Sequence, residues 1–274
     1  MTILCIETST SVCSAAICKD GAPIKQCICL EGSNHARLLP RYIEELLSLA
    51  REQGLSIEAV ALSEGPGSYT GLRIGTSTAK GLCYGLNIPL IPIPTLEVLC
   101  EAAQKNLSSV SPKDGLCSVS EAVLVPMIDA RRMEVYTAIF DSELKEESPK
   151  SKEQRVRAVV VENEESVLSQ QAQPAVCALS AEGGLAAERS YFYFGDGAAK
   201  CAKIFTKPNW HFIPNIVPEA QYMGALVESR KPKDESGKSK VESRKMISGA
   251  ELAYYEPFYL KEFIAAPSHV KGLN

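Results

Sequence analysis

The spacing of apolar residues along the first hundred positions predicts strands and helices in alternation. Nearly continuous apolar runs are typical of strands buried on both faces. Apolar residues that recur every three or four positions indicate amphipathic helices. The predicted strands are 2–7, 12–19, 24–30, 57–62 and 88–93, and the predicted helices are 35–51, 70–85 and 95–104. This order indicates an α/β protein with a mixed sheet flanked by helices.

The second half of the chain has weaker patterning and two charged segments. Strands are predicted at 122–128, 134–140, 156–161, 191–194 and 252–260, and helices at 163–171, 198–205 and 218–228. Segments 142–155 and 229–245 are predicted to be mobile insertions, because neither has apolar periodicity. The second carries seven Lys/Arg and three Asp/Glu, so a tether for RNA is an alternative. We expect an N-terminal lobe, 1–104, that binds partners, and a C-terminal lobe, 105–274.

Composition and charge exclude other classes of protein. The chain has 274 residues, 45% hydrophobic and 23% charged, which is a globular balance. A formal charge of -4 argues against unaided binding of nucleic acid, which requires a basic surface. No apolar run approaches the roughly 20 residues of a membrane span, and the sequence opens without a basic leader. The ten cysteines include no CxxC pair, so we expect reduced thiols in the cytoplasm.

Three turns have the composition of anion-binding loops. Backbone N–H groups at 65–68 could bind an anion at a helix start, or the two glycines there could simply permit a tight turn. Two other turns could line a nucleotide: Thr8, Ser9 and Thr10 after the first strand, and Gly195, Asp196 and Gly197 after the strand at 191–194. The turn at residues 8–10 lacks the glycine that would let a phosphate approach the backbone closely. A glycine turn like the second is common after strands.

Histidines are too few for a hydrolytic zinc site, which usually needs about three protein ligands. Only His35, His211 and His269 occur, and His35 at a helix start is better explained by packing or a hydrogen bond. The helix at 70–85 contains glycines at positions 71, 75, 81 and 85. Each costs roughly 1 kcal/mol relative to alanine, so each needs a reason. Close packing within the monomer and close packing at a subunit interface are two explanations that the sequence favours equally.

Four segments together resemble one known family. They are ILCIETSTSVCSAAI, SNHARLLPRYIEELL, AVALSEGPGSYTGLRIGTSTAKGLCYGLNIPLIPIPTLEVL and PMIDARRMEVYTAIFD, and the likeness returns at 257–260. They resemble the TsaB (YeaZ) family, a bacterial component of the tRNA threonylcarbamoyladenosine system. The resemblance implies a two-lobed α/β fold of the actin/Hsp70/sugar-kinase (ASKHA) type. It covers 1–140 closely, and nothing from the family carries over to 142–155 or 229–245.

The resemblance also implies a role. TsaB is similar to its catalytic paralogue TsaD, which transfers threonylcarbamoyl from its adenylate, made by TsaC, to an adenosine beside the tRNA anticodon. TsaE is an ATPase that binds the TsaB–TsaD pair. TsaD holds its metal with two histidines of a His-Leu-Glu-Gly-His-like segment, where this chain has Thr95 and Leu99. Since neither side chain replaces an imidazole ligand, the resemblance implies a non-catalytic scaffold for TsaD, without metal or cofactor.

We expect the partner interface on the N-terminal lobe, as in the TsaB family, with tRNA reached only through the complex. The first helix has more apolar residues than one core-facing stripe needs. The predicted interface residues are His35, Leu38, Leu39, Tyr42, Leu46, Gly71, Arg73, Gly75, Thr78, Ala79 and Leu82. The alternatives are an independent ASKHA-type nucleotide-binding enzyme, a glycoprotease-like peptidase, or a plain homodimer. A homodimer could also form when the scaffold is alone.

Overall fold

A computed structural model describes residues 1–30, 32, 34–109, 123–141, 156–169, 189–229 and 246–260. The strands of its first sheet are β1 (Thr2–Glu7), β2 (Cys13–Lys19), β3 (Ala22–Cys29), β4 (Ala59–Gly65) and β5 (Leu90–Pro94). They lie in the order β3-β2-β1-β4-β5. β1 pairs antiparallel with β2 and parallel with β4, so the sheet is mixed, as predicted.

A second sheet repeats this topology. Its strands are β6 (Val123–Asp129), β7 (Glu134–Thr137), β8 (Arg157–Val160), β9 (Tyr191–Phe194) and β10 (Trp210–Ile213). They lie in the order β8-β7-β6-β9-β10. β6 pairs antiparallel with β7 and parallel with β9, as β1 does with β2 and β4. The turn after β6 therefore corresponds to the turn after β1, and the loop after β9 to the loop after β4.

Helices cover both faces of the first sheet. The described helices are α1 (His35–Glu52), α2 (Tyr69–Leu86), α3 (Thr95–Ser109), α4 (Glu164–Ser169, beside the second sheet), a 3-10 helix (Ala220–Tyr222), α5 (Met223–Ser229) and α6 (Ala250–Tyr254). One face packs against α1 and α2, with Leu4 and Leu39 in its core. The opposite face packs against α3 and α5, with Val98 and Met223 in its core. None of the described helices is long and apolar enough to cross a bilayer.

Most predicted elements are present with ends shifted by a few residues, and two predictions are wrong. Residues 198–205 form successive turns, not a helix, because the N–H groups of Cys201 and Ile204 bind carbonyls three residues earlier, at 2.9 Å. The strand expected at 252–260 is instead α6 followed by an irregular segment. The Phe258 N–H of that segment donates to the Glu64 carbonyl at 2.6 Å. β10 was not predicted, because its residues, WHFI, are interrupted by His211 and lack the continuous aromatic run of β9.

The division of the chain at residue 104 stays a prediction. Ala220 and Leu226, from far beyond that boundary, pack in the core under the first sheet. Ile247 and Leu90 exchange backbone hydrogen bonds of 2.9 Å at the edge of the same sheet. Residues from the C-terminal part of the chain therefore complete the first sheet's packing. Segments 142–155 and 230–245 lie outside the described residues.

Candidate functional site

The turn after β1 is closed by the start of α2. Thr8 and Ser9 are completely buried, and Thr10 nearly so. The Ser68 N–H donates to the Ser9 carbonyl at 2.6 Å, and the Thr8 hydroxyl donates to the Gly71 carbonyl at 2.9 Å. A phosphate could reach this backbone only by displacing α2. The packing therefore argues against the hypothesis that these residues line a nucleotide.

Gly71 and Gly75 make this close packing sterically possible. A side chain at Gly71 would collide with the Thr8 carbonyl, and one at Gly75 would collide with the Thr8 hydroxyl. Packing within the chain is therefore the reason for these two glycines. Gly81 and Gly85 differ, because a Cβ atom at either would meet nothing within 4 Å. The described part of the chain gives these two glycines no packing reason.

Glu7 ends β1 and is completely buried. Its Oε1 accepts hydrogen bonds from the Ser9 N–H (2.7 Å), the Ser9 hydroxyl (2.6 Å) and the Ser63 hydroxyl (3.0 Å). Its Oε2 has no hydrogen-bond partner among the described residues. Burial raises the pKa of Glu7, although the hydrogen bonds from Ser9 and Ser63 oppose the rise. Sequence reasoning missed Ser63, because only the pairing of β1 with β4 brings it here.

Glu7→Gln is expected to flatten the dependence of stability on pH. A carboxyl whose pKa is raised on folding stabilises the folded state while protonated. Its contribution is present at acid pH and is lost as the pH rises from the ordinary pKa of 4.5 through the raised value. Glutamine does not titrate. Above that pH, the free energy of unfolding of the variant should therefore rise relative to that of the wild type. The gain is about 1.4 kcal/mol for each tenfold by which folding lowers the acid dissociation constant of Glu7. Urea unfolding of both proteins across this pH range checks the prediction. A difference in unfolding free energy that does not change with pH would contradict it.

The turn after β9 joins that strand to β6. Gly195 has a φ of +107°, a left-handed conformation that favours glycine. The Gly197 N–H donates to the Met127 carbonyl at 3.0 Å, and Asp196 Oδ1 accepts from the Asp129 N–H at 3.0 Å. These contacts give the three residues a structural role. A nucleotide at this turn stays a prediction.

The two positions at which the resemblance implies a loss of metal-binding histidines lie in the interior. Thr95 begins α3 and Leu99 follows one turn later, and both are completely buried. Leu99 packs with Leu96 and Ile128 in a core beneath the second sheet. Within the described ranges, no group of three or more His, Cys, Asp or Glu side chains is placed to hold a metal ion. Leu99 here supplies packing, and the Thr95 hydroxyl is buried without a hydrogen-bond partner among the described residues.

α1 carries two apolar stripes. The inner stripe faces the first sheet and consists of His35, Leu39, Ile43, Leu46 and Ala50. The His35 Nε2 lies 3.2 Å from the Val12 carbonyl, so this buried residue has both the packing and the hydrogen bond that the sequence left as alternatives. The outer stripe, Leu38 and Tyr42, is half-buried. It lines a surface depression together with the polar side chains of Arg41, Glu44, Glu45 and Ser48. The predicted excess of apolar residues on this helix therefore reaches the surface.

α2 contributes the other half of this surface. Its Ile74 and Leu82 are half-buried, and both pack at the margin of the same core as Leu38 and Tyr42. Positions three and four apart on a helix share a face, so Thr78, Gly81 and Gly85 lie beside them. We define the α1–α2 face as Leu38, Tyr42, Ile74, Thr78, Gly81, Leu82 and Gly85. It is apolar and, at its glycines, flat.

Six of the predicted interface residues lie inside the chain. They are His35, Leu39, Leu46, Gly71, Gly75 and Ala79, and all six are buried beneath the helices. They cannot touch a partner directly, and this corrects the prediction for them. Leu38, Tyr42, Arg73, Thr78 and Leu82 do reach the surface, and their contact with a partner stays a prediction. The predicted set did not include Ile74, Gly81 or Gly85, which share this face of the helix with Thr78.

Comparison with known proteins identifies the class of this chain. The sequence model of the TsaD family, described as tRNA N6-adenosine threonylcarbamoyltransferase, matches residues 30–212. That range is more than half of the chain, so the chain belongs to this family. The match, together with two mixed sheets of the same topology, confirms the predicted ASKHA-like α/β fold.

The curated relatives narrow the resemblance to TsaB. The chain is 34% identical over 140 residues to the tRNA threonylcarbamoyladenosine biosynthesis protein TsaB of Escherichia coli K12. The matched residues make up 51% of this chain and 55% of that protein. It is 33% identical over 141 residues to TsaB of Bacillus subtilis 168, with the same coverage of 51% and 55%. The chain thus spans about half the length of the curated relatives it matches.

A solved structure extends the likeness of fold to nearly the whole chain. It comes from Pseudomonas aeruginosa and is described as an uncharacterized protein with similarity to the peptidase YeaZ. The two superpose with a TM-score of 0.62 at 21% identity, over 95% of this chain and 99% of that one. The predicted resemblance to TsaB (YeaZ) is confirmed.

Proposed function

We propose that this chain acts in forming N6-threonylcarbamoyladenosine in tRNA, as a non-catalytic scaffold that binds TsaD. Membership of the TsaD family and similarity to TsaB proteins support the pathway. The observation that carries the scaffold role is the α1–α2 face, where Leu38, Tyr42 and Leu82 remain partly exposed to water. Covering such apolar surface with a partner is favourable.

TsaD fits this face because a paralogue with the same fold presents equivalent helices. Two like faces can pair about an approximate two-fold axis, as in most dimers of related chains. The same pairing between two copies of this chain would give a homodimer when TsaD is absent. Binding of TsaE to the TsaB–TsaD pair, and a cytoplasmic location, complete the proposal and rest on the TsaB resemblance.

The non-catalytic part of the proposal rests on α3. In TsaD the two histidines of the corresponding segment hold the metal that the transfer uses, as the resemblance implies. Thr95 and Leu99 are completely buried here, and a hydroxyl and an alkyl group do not replace imidazoles. An independent nucleotide-binding enzyme is less well supported, because α2 already occupies the approach to the turn after β1.

Reconstitution tests the proposal. TsaD with its other partners should form threonylcarbamoyladenosine in tRNA at least tenfold faster when this chain is added, and the chain without TsaD should form none. The two chains should co-purify at physiological salt. Adding the chain without any change in rate, and without co-purification, would overturn the scaffold role. Turnover of nucleotide or peptide by the chain alone would support the enzyme alternatives instead.

A further inference from the structure

The hairpin turn between β6 and β7 has an unusual backbone. Arg131 and Arg132 follow each other with φ values of +69° and +49°. Left-handed positions favour glycine and, after it, asparagine, because a larger side chain in this conformation meets a steric cost. Here both positions are arginine, and both side chains are exposed. The turn therefore adopts a costly conformation that a different sequence could adopt freely.

Neighbouring side chains hold this conformation rigidly. The Lys200 ammonium donates to the carbonyls of Arg132 (2.9 Å) and Glu134 (2.6 Å) and to the Asp129 carboxylate. The Asp129 carboxylate also accepts from the Arg131 N–H at 3.0 Å. Costly backbone persists only where its surroundings over-determine it, and such places cluster at binding sites. The backbone hydrogen bond from the Ala130 N–H to the Glu134 carbonyl, 3.1 Å, closes the turn.

The two arginines are also available to a ligand. The Asp129 carboxylate is engaged by Lys200 and by the backbone, and Asp196 accepts from the Asp129 N–H. Among the described residues, no carboxylate lies within ion-pair distance of either guanidinium. Two adjacent guanidinium groups suit anionic oxygens, because each presents a planar fork of donors.

The corresponding turn of the first sheet makes the contrast plain. After β1, the repeat places Thr8 and Ser9, which are completely buried beneath α2. After β6, it places two cations in contact with water. The turn after the first strand is therefore buried in one sheet, and the corresponding turn is exposed and basic in the other. Packing within the chain therefore explains the first turn, whereas the arginines of the second remain exposed to a ligand.

We infer that Arg131 and Arg132 bind backbone phosphates of tRNA in the assembled complex. The inference rests on the proposed function, which brings tRNA to the TsaD-bound chain. Phosphodiesters suit the site because Arg binds them through paired, charge-assisted hydrogen bonds, and such contacts position an RNA without reading its sequence. With a formal charge of -4 on the whole chain, two such contacts add to the affinity of a complex and do not give tight binding alone.

The double variant R131N/R132G tests this inference in the complex with TsaD. It supplies the residues that the turn prefers, so its thermal midpoint should rise, while the affinity of the complex for tRNA should fall at least tenfold. The slope of log affinity against log salt should become shallower by about 1.5, since each phosphate contact contributes about 0.7–0.9. The variant R131K/R132K should keep the salt slope and lose part of the affinity.

A control variant removes the same charge elsewhere. Lys19 and Arg51 are exposed at the far end of β2 and in the last turn of α1, so K19A/R51A should leave the tRNA affinity unchanged. An equal loss in the control, or an unchanged affinity in R131N/R132G, would overturn the inference. Loss of TsaD binding in R131N/R132G would make the turn a protein contact and would also overturn it. A lost affinity for ATP with normal tRNA binding would assign the turn to a free nucleotide instead.

The two proposals can fail separately. TsaD binding by the wild-type chain is measured first, on the same preparation, and its absence would overturn the proposed function alone. The salt-dependence comparison is then made with the chain by itself and tRNA at low ionic strength, where two phosphate contacts are measurable. Identical slopes for the wild type and R131N/R132G would overturn the inference there as well.

Discussion

Gly75→Arg is expected to give a protein that does not fold. The first side-chain atom would collide with the Thr8 hydroxyl and lie 3.2 Å from Leu62, and the guanidinium would be buried without a partner. Overpacking costs about 1–3 kcal/mol and an unpaired buried charge about 3–5 kcal/mol. Their total is comparable with the whole stability of a typical domain, about 5–15 kcal/mol. Far-UV circular dichroism and urea titration of the purified variant would measure the loss.

Gly81→Ala is the matched control for this variant. It lies on the same helix, but its added Cβ meets nothing within 4 Å, so alanine should raise the free energy of unfolding by about 1 kcal/mol through helix propensity. A folded Gly75→Arg protein of normal stability would mean that Thr8 can move aside, and would contradict the packing described here. Two glycines on one helix should thus respond in opposite directions.

The strands and helices of the first half could be predicted because each signal is local. The run at 2–7 is apolar throughout, and the structure places it at the centre of its sheet as β1. The strand predicted at 252–260 failed because the deciding contact is distant in sequence. The tyrosine-rich stretch at 252–260 has the composition of a strand, yet Lys80 binds the carbonyls of Ala253 (2.7 Å) and Tyr255 (3.2 Å) at the end of a short helix. No local sequence pattern predicts this contact with Lys80.

The candidate site shows the same limit. Helical spacing revealed that α1 has two apolar stripes, but not which one faces the sheet, so Leu39 and Leu46 were assigned to an interface although they are buried. The glycines of α2 were recognised as needing a reason, but only the position of Thr8 separates Gly71 and Gly75 from Gly81 and Gly85. The arginines of the turn after β6 look ordinary in sequence, because their backbone conformation is not encoded by residue type.

Gly81→Arg is expected to abolish binding of TsaD while the chain stays folded. The position is exposed and its Cβ is unobstructed, so the substitution costs the free chain nothing and improves helix propensity. In the proposed complex the arginine would stand on the flat part of the α1–α2 face. It would hold the partner's backbone away and bury a charge without a partner, at about 3–5 kcal/mol. A loss of affinity on the order of a hundredfold or more follows.

Titration calorimetry with TsaD measures this loss, and two variants control for its cause. Gly81→Ala should bind as the wild type does, because a methyl group barely alters the flat surface. Ala36→Arg adds the same charge at an exposed position of α1 outside the α1–α2 face, and it should also bind normally. Equal losses in Gly81→Arg and Ala36→Arg would indicate a general effect of charge. Normal TsaD binding by a folded Gly81→Arg chain would place the interface on another surface, because no close approach of a partner to α2 can accommodate that side chain.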